Sequence, residues 1–313
     1  MTKSENVRSP RLKRLALASA LTPSIQLQTP TTIVSIGTGG TAVGLALTDM
    51  IASACNGSLP KCLRTLVIEA DRDPRNHSVL HRRQPFIGMG HAGFGSVIAN
   101  GREKSAEFFP HFVAQLKQSF AALQSETDAR FPMNQSGVKK QTLLLIAPTS
   151  GATAGGTFDC VISAAHVAAA KTGTEELNVV LVTFGAEMAH KDVKREQDLE
   201  RPDRLIANNA ESTQWIYAGM AAHAKVKYEV PGMGKITQIG SDRVIENHCF
   251  DQSNGSIKLH ETAHLGEMIA HCLFYRYFTA AGVLRAGRFE DEFQTNVTKQ
   301  RHIHRHYYLA KQS

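Results

Sequence analysis

Three glycine-rich turns hold the residues of this chain best suited to gripping a phosphate. The first is Gly37-Thr38-Gly39-Gly40-Thr41, directly after the apolar run Thr32-Ile33-Val34-Ser35-Ile36. The second is Gly88-Met89-Gly90-His91-Ala92-Gly93-Phe94-Gly95. The third is Ser150-Gly151-Ala152-Thr153-Ala154-Gly155-Gly156-Thr157, directly after Thr142-Leu143-Leu144-Leu145-Ile146. Glycine permits positive φ and close backbone approach. Exposed N–H groups at a turn or helix start, with the helix dipole behind them, make an anion site. The candidate nucleotide-binding residues are therefore Gly37, Gly39, Gly40 and Thr41; Gly90, Ala92 and Gly93; and Gly151, Ala152, Thr153, Ala154, Gly155 and Gly156. Glu69, at the end of Leu63–Glu69, or Asp71 could meet a ribose or hold water around Mg²⁺. Asn208 could offer a paired donor and acceptor to a guanine edge. Each residue also has a plainer reading: a tight turn, a solvated strand end, or, for Asn208-Asn209, a helix cap.

Other residues point to other chemistry. Gly37-x-Gly39 with Gly44 after a strand, and Glu69 ending the next, also fits an NAD(P)-dependent Rossmann oxidoreductase. His260-Glu261-Thr262-Ala263-His264 has the H-E-x-x-H spacing of a zinc metallohydrolase, with two His on one helix face and Glu261 as base. The alternating His302, His304 and His306 could bind metal, but no Cys or carboxylate stands next to them in sequence, and no metal ligand is assigned. Tyr307 and Tyr308 beside Arg301 and Arg305 could contact nucleic acid through stacking and charge.

The elements that must position these residues alternate. Strands are predicted at Thr31–Ile36, Leu63–Glu69, Gln141–Ala147, Leu177–Phe184 and Arg204–Ala207. Helices are predicted at Ala42–Ser53, Glu103–Leu123, Phe158–Thr172, Ala186–Glu200, Glu211–Ala224 and His260–Gly282. Residues 74–100 and 124–140 read as loops, and 225–258 as a segment broken by Pro231 and glycines. Alternation of this kind predicts an α/β fold: a doubly wound, mainly parallel sheet with helices on both faces. The domain reading is a basic arm over 1–30, a nucleotide-binding domain over 31–224, a reduced C-terminal segment over 225–287 and a charged tail over 288–313.

Composition narrows the class. The chain has 313 residues, 42% of them apolar and 20% charged, which excludes wholesale disorder. Its formal charge of +7 suits a phosphate ligand, an acidic partner or nucleic acid, with much of the charge in the two tails. Five Cys, with no C-x-x-C pair, read as reduced thiols of a cytoplasmic protein. No run reaches the ~20 apolar residues of a membrane helix. Arg8, Arg11, Lys13 and Arg14 precede Leu15-Ala16-Leu17-Ala18-Ser19-Ala20-Leu21 as in a targeting peptide, but Pro23 cuts the stretch, so a cytoplasmic basic arm is expected.

In order and spacing these loops resemble the tubulin/FtsZ superfamily of GTP-binding, filament-forming proteins. Gly151, Thr153 and Gly156 fall in register with that family's glycine signature after its fourth strand. The second loop and the following Gly101-Arg102-Glu103-Lys104-Ser105-Ala106-Glu107 resemble its second segment. Val180-Leu181-Val182-Thr183-Phe184 and Leu205-Ile206-Ala207-Asn208-Asn209 resemble two of its strands, the last with a guanine-reading Asn. The resemblance covers about 31–224. It implies GTP or GDP with Mg²⁺ as ligands, and a second copy of the chain as head-to-tail partner. The pattern departs from the family at Ser150, Ala152 and Ala154, which stand for glycines, and at Phe94-Gly95-Ser96-Val97, which stands for Asn-Pro. Val230-Pro231-Gly232-Met233-Gly234-Lys235 lacks the acidic residues with which the family polarises the attacking water. Hydrolysis is therefore expected to be slow or absent.

Overall fold

The computed structural model describes residues 29–70, 79–90, 94, 97–125, 139–185, 201–222, 225–230, 234–239, 244–252, 262–279 and 303–309. At 201–202, 217–222, 225–230, 234–239, 244–246, 251–252, 262–265 and 303–309 the description is of backbone alone. Residues 1–28 of the arm, Asp71, Ala92, Gly93, Ala186–Glu200 and His260-Glu261 lie outside the described residues.

Continuous apolar runs make strands that are covered on both faces. β1 (Thr31–Ile36), β2 (Leu63–Glu69), β4 (Lys140–Ile146) and β5 (Glu176–Phe184) are such runs, and β3 (Phe86–Gly88) is a short one. They join β8 (Val244–Gln252) and β9 (Ile303–Leu309) in a seven-stranded sheet of order β3-β2-β1-β4-β5-β8-β9. Every pairing in it is parallel. β6 (Lys225–Val230) and β7 (Gly234–Ile239) form a separate antiparallel hairpin.

Side chains alternate between the two faces of each strand. Val34, Ile36, Leu143, Leu145, Val179 and Leu181 join the core under α3 (Ile98–Ser125) and α4 (Ala152–Thr172). Ile216 of α5 (Arg201–Ala222) closes that layer, and Trp215 meets Phe158 edge-on at 5.1 Å between ring centroids. Ile33, Leu144, Ile146, Val180, Val182 and Phe184 join the opposite core under α1 (Gly37–Ala54) and α6 (Thr262–Phe278). α2 (Val79–Arg82) is a single turn. The predicted doubly wound α/β sheet is thus the observed one.

Three expectations are corrected. Arg204–Ala207 is not a strand, because α5 runs through it with Leu205, Asn208, Ser212 and Ile216 buried at helical spacing. α1, α3 and α4 begin at Gly37, Ile98 and Ala152, ahead of Ala42, Glu103 and Phe158. Their glycines have low helix propensity but are demanded by close packing. The segment 225–258 and the tail are not merely broken or charged: they supply β6, β7, β8 and β9, and the sheet continues through the last two.

Candidate functional site

β1 and β4 are hydrogen-bonded neighbours, with Thr31 opposite Thr142 and Ser35 opposite Ile146. The next strand after β1 is added on one side of the pair, and the next after β4 on the other. Such a reversal opens a crevice at the carboxyl ends of the strands. The two helices that leave this crevice begin side by side. A Cβ built on Gly37 would lie 3.5 Å from Ala154 Cβ, 3.6 Å from Ala154 N and 3.6 Å from Thr153 Cβ.

Both helix starts are bare. The N-cap of α1 is Ile36 (φ −119°, ψ 130°) and that of α4 is Gly151 (φ −80°, ψ 135°); neither gives a side-chain cap, and neither first turn has an acidic residue. The leading N–H groups of a helix lack intrahelical acceptors, and its dipole is positive there. Two such ends together favour a polyanion. Gly37 enters α1 at φ +70°, a conformation side chains resist. Gly151 has no atom within 4 Å of a would-be Cβ, so the approach to α4 is open.

The other glycines of the runs serve packing. A Cβ at Gly40 would meet Ile146 O at 2.6 Å, and one at Gly39 would meet the Phe184 ring at 3.0 Å. At Gly156 it would meet Ile98 O at 2.6 Å and Arg102 N at 2.7 Å; at Gly155, Ser212 Oγ at 2.9 Å and Thr149 O at 3.0 Å. From the other side of the same crossing, a Cβ built on Gly101 would lie 2.2 Å from Ala152 O, so α3 and α4 touch backbone to backbone. Gly44 lets α1 settle on β1, since a Cβ there would lie 1.8 Å from Ser35 Oγ. Thr41 and Ala154 are buried, whereas Thr153 is half-buried beside Gly37.

α5 and β5 hold the third loop in place. Thr149 N and Oγ1 both donate to Phe184 O, at 3.2 and 3.0 Å. Ser212 Oγ donates to Thr149 O at 3.1 Å, Asn209 Oδ1 stands as a second acceptor for the same Thr149 hydroxyl, and Asn208 Nδ2 donates to Ser150 O at 3.1 Å. Asn208 is thus brought to the loop, on a helix rather than a strand end. Thr149 and Ser212 shape this loop with Phe184 and carried no signal of their own in the sequence; the recurrence of Asn208 and Ser212 one turn apart was the available hint.

The second loop reaches the same edge through β2. Glu69 O accepts Met89 N at 2.9 Å, and Glu69 Oε1 accepts Ala70 N at 2.9 Å. Glu69 is only 5% exposed. Gly90 is exposed, at φ +78° with open space around it. Gly37, Glu69, Gly90, Gly151, Ala152, Thr153 and Asn208 therefore stand around the carboxyl edge of β1, β2 and β4.

A cavity of about 220 Å³ lies between α3 and α4, lined by Arg102, Ser105, Phe109, Asp159, Cys160 and neighbours but by none of the glycine-turn candidates. Burial, and then the charge of Asp159, push the Cys160 thiol up to about 12, against a smaller lowering by Ser105, so it is no nucleophile at neutral pH. Among the described residues no group of three His, Cys, Asp or Glu is arranged for a metal. Among the described residues no helix is long and apolar enough to cross a membrane.

No protein-family model and no curated protein matches the chain. Among solved structures it is similar to CetZ2 from Haloferax volcanii in a GTPgS-bound protofilament, with TM-score 0.45 and 10% identity over 78% of this chain and 56% of that one. It is similar to TubZ of Clostridium botulinum phage c-st, with TM-score 0.41 and 9% identity over 87% of this chain and 62% of that one. It is similar to FtsZ of M. jannaschii, an empty dimer, with TM-score 0.42 and 12% identity over 84% of this chain and 56% of that one. The chain spans 56% to 62% of the length of these three structures.

Proposed function

We propose that this protein binds a guanine nucleotide, as GTP or GDP with Mg²⁺, at the carboxyl edge of β1 and β4. One observation carries the reading: the uncapped first turns of α1 and α4 meet at Gly37 and Ala154, with Gly151 leaving the approach open. The phosphates would lie across these N–H groups, with Thr153 adding a hydroxyl. Gly90 and its loop would close over them, and Glu69 or Asp71 would take the ribose or the water shell of Mg²⁺. Asn208 would read guanine from α5 while steadying Ser150.

Assembly follows from the same reading. The nucleotide of one copy is capped by the next, a head-to-tail contact that propagates into a filament when its rotation does not close. Hydrolysis is slow or absent, since Val230–Lys235 offers no carboxylate to position water. The basic arm over 1–30 braces a neighbouring copy through Glu290-Asp291-Glu292, and the basic ends remain candidates for nucleic acid. The protein works in the cytoplasm.

Titration calorimetry of full-length protein with GTP, GDP, ATP and NAD, each with Mg²⁺, tests the ligand. Tightest binding of GTP or GDP is expected, and a preference for NAD would instead favour the oxidoreductase chemistry. Gly151→Trp should abolish binding by filling the open approach; unchanged affinity in the folded variant removes the third loop from the site. Pelleting and electron microscopy with GTP, with and without residues 1–28, test assembly. Full-length protein that stays monomeric at high concentration with GTP and Mg²⁺ overturns the filament.

A further inference from the structure

The cavity of about 220 Å³ between α3 and α4 has a local cause. The two helices meet backbone to backbone where Gly101 crosses Gly156. One turn on from these glycines stand Ser105 and Cys160, with Ala106 and Ser163 beyond, and such small side chains leave space between the helices. The Ser105 hydroxyl is shared between Arg102 O, at 2.9 Å, and Gly156 O, at 3.2 Å. Cys160 Sγ donates to Ser105 O at 3.3 Å, and Ser163 Oγ donates to Asp159 O at 2.9 Å. These three donors are thus directed at backbone carbonyls. What the lining presents to a guest is an apolar ring, Phe109, and a charge, the carboxylate of Asp159; both residues are buried.

Electrostatics selects the sign of the guest. Arg102 stands at the rim, but its Nη1 donates to Glu211 Oε1 of α5, so its charge is matched. Glu103, the other charged residue of the rim, is acidic and exposed. With Asp159 inside and Glu103 outside, the field along the cavity is negative and draws cations. A carboxylate can accept about four hydrogen bonds, and Asp159 Oδ1 accepts one from Cys160 N at 2.7 Å. Volume selects the size. A cavity of ~150 Å³ holds benzene, so this larger one has room for such a ring with a short arm.

We propose that the cavity between α3 and α4 binds a small arylalkyl ammonium ion, its ring against Phe109 and its ammonium donating to Asp159. The ammonium joins the bonds that Asp159 already makes, and the charge on both partners strengthens the contact. Ring packing on Phe109 adds to it. Ala106, half-exposed at the rim, is the entrance. The site shares no residue with the proposed nucleotide edge.

Full-length protein would be titrated by calorimetry with phenethylamine and with phenethyl alcohol, its uncharged counterpart, at neutral pH, where an alkylamine is protonated. The amine should saturate at one equivalent. The alcohol should bind at least ~10-fold more weakly, the loss expected when a hydrogen bond between charged groups is removed. Asp159→Asn keeps the shape of the side chain and should weaken amine binding by a similar factor. Ala106→Phe should close the entrance and abolish binding. Circular dichroism would check each fold, and the comparison of amine with alcohol uses the parent alone, so it decides even if Asp159→Asn unfolds. No saturable binding of the amine by the parent at millimolar concentration overturns the proposal. So does an alcohol that binds as tightly as the amine, or amine affinity unchanged in folded Asp159→Asn or folded Ala106→Phe.

Discussion

The loop ahead of α4 and the first turn of α4 come from one glycine-rich run, yet they do opposite things. Gly151 stands in open space, while Gly155 and Gly156 are pressed against Ile98, Ser212 and the backbone of α3. The same contrast divides the first run: Gly37 makes a left-handed entry to the helix, and Gly40 fits beneath the Ile146 carbonyl. A glycine run is therefore not one feature. Part of it keeps a crevice open, and part of it brings two helices close enough for that crevice to have two walls.

Substitutions can break or sharpen this division. The largest effect is expected at the α3–α4 crossing. Gly156→Ala puts a Cβ 2.6 Å from Ile98 O and 2.7 Å from Arg102 N, atoms of backbone that cannot swing aside. It should cost about 3 kcal/mol or more, read as a lowered urea midpoint, and a midpoint equal to that of the parent would break the comparison. Asn208→Ala comes next. It leaves the buried Ser150 carbonyl without its 3.1 Å donor and should cost about 1–3 kcal/mol. It should also shrink the GTP-to-ATP affinity ratio; stability lost with the ratio intact would confine Asn208 to holding the loop.

The remaining two changes lie on the open side. Gly37→Ala meets only ordinary contacts but forces alanine to φ +70°, for about 1 kcal/mol. Thermal unfolding would measure it. Gly151→Ala meets nothing and has an ordinary φ, so stability should stay within about 0.5 kcal/mol of the parent. A clear loss of stability there would mean that Gly151 also belongs to the packed set.

The parallel sheet was legible because β1, β2, β4 and β5 each carry a short buried apolar stretch (Ile33-Val34, Leu66-Val67-Ile68, Leu143–Ile146 and Val179–Val182) ahead of a helix. The starts of α1, α3 and α4 were not, since isolated propensity puts glycine outside helices while contact with Ser35, Ala152 or Ile98 keeps it inside. Leu205–Asn209 misled for another reason: Leu-Ile beside two Asn looks like a strand end, and only the burial of Leu205, Asn208, Ser212 and Ile216 together reveals the helix. β9 was hidden by its charge. Ile303-His304-Arg305-His306-Tyr307-Tyr308-Leu309 reads as a basic tail until β8 supplies its partner. At the candidate site the sequence marked the glycine turns, but not which glycines pack, nor the tethering of Thr149 from β5 and α5.

The order β3-β2-β1-β4-β5-β8-β9 bears on how the molecule is made. β2 joins β1, β3 joins β2, β4 takes the other side of β1, and β5, β8 and β9 each extend the growing margin. No strand has to insert between two that are already paired. A chain emerging from the ribosome at ~5–20 residues per second can therefore add each strand as it appears, without undoing earlier pairing. The slow non-local closures of a parallel sheet are taken one at a time, and the margin that waits longest for its neighbour is that of β1, which ends at Ile36 and whose second partner, β4, begins only at Lys140.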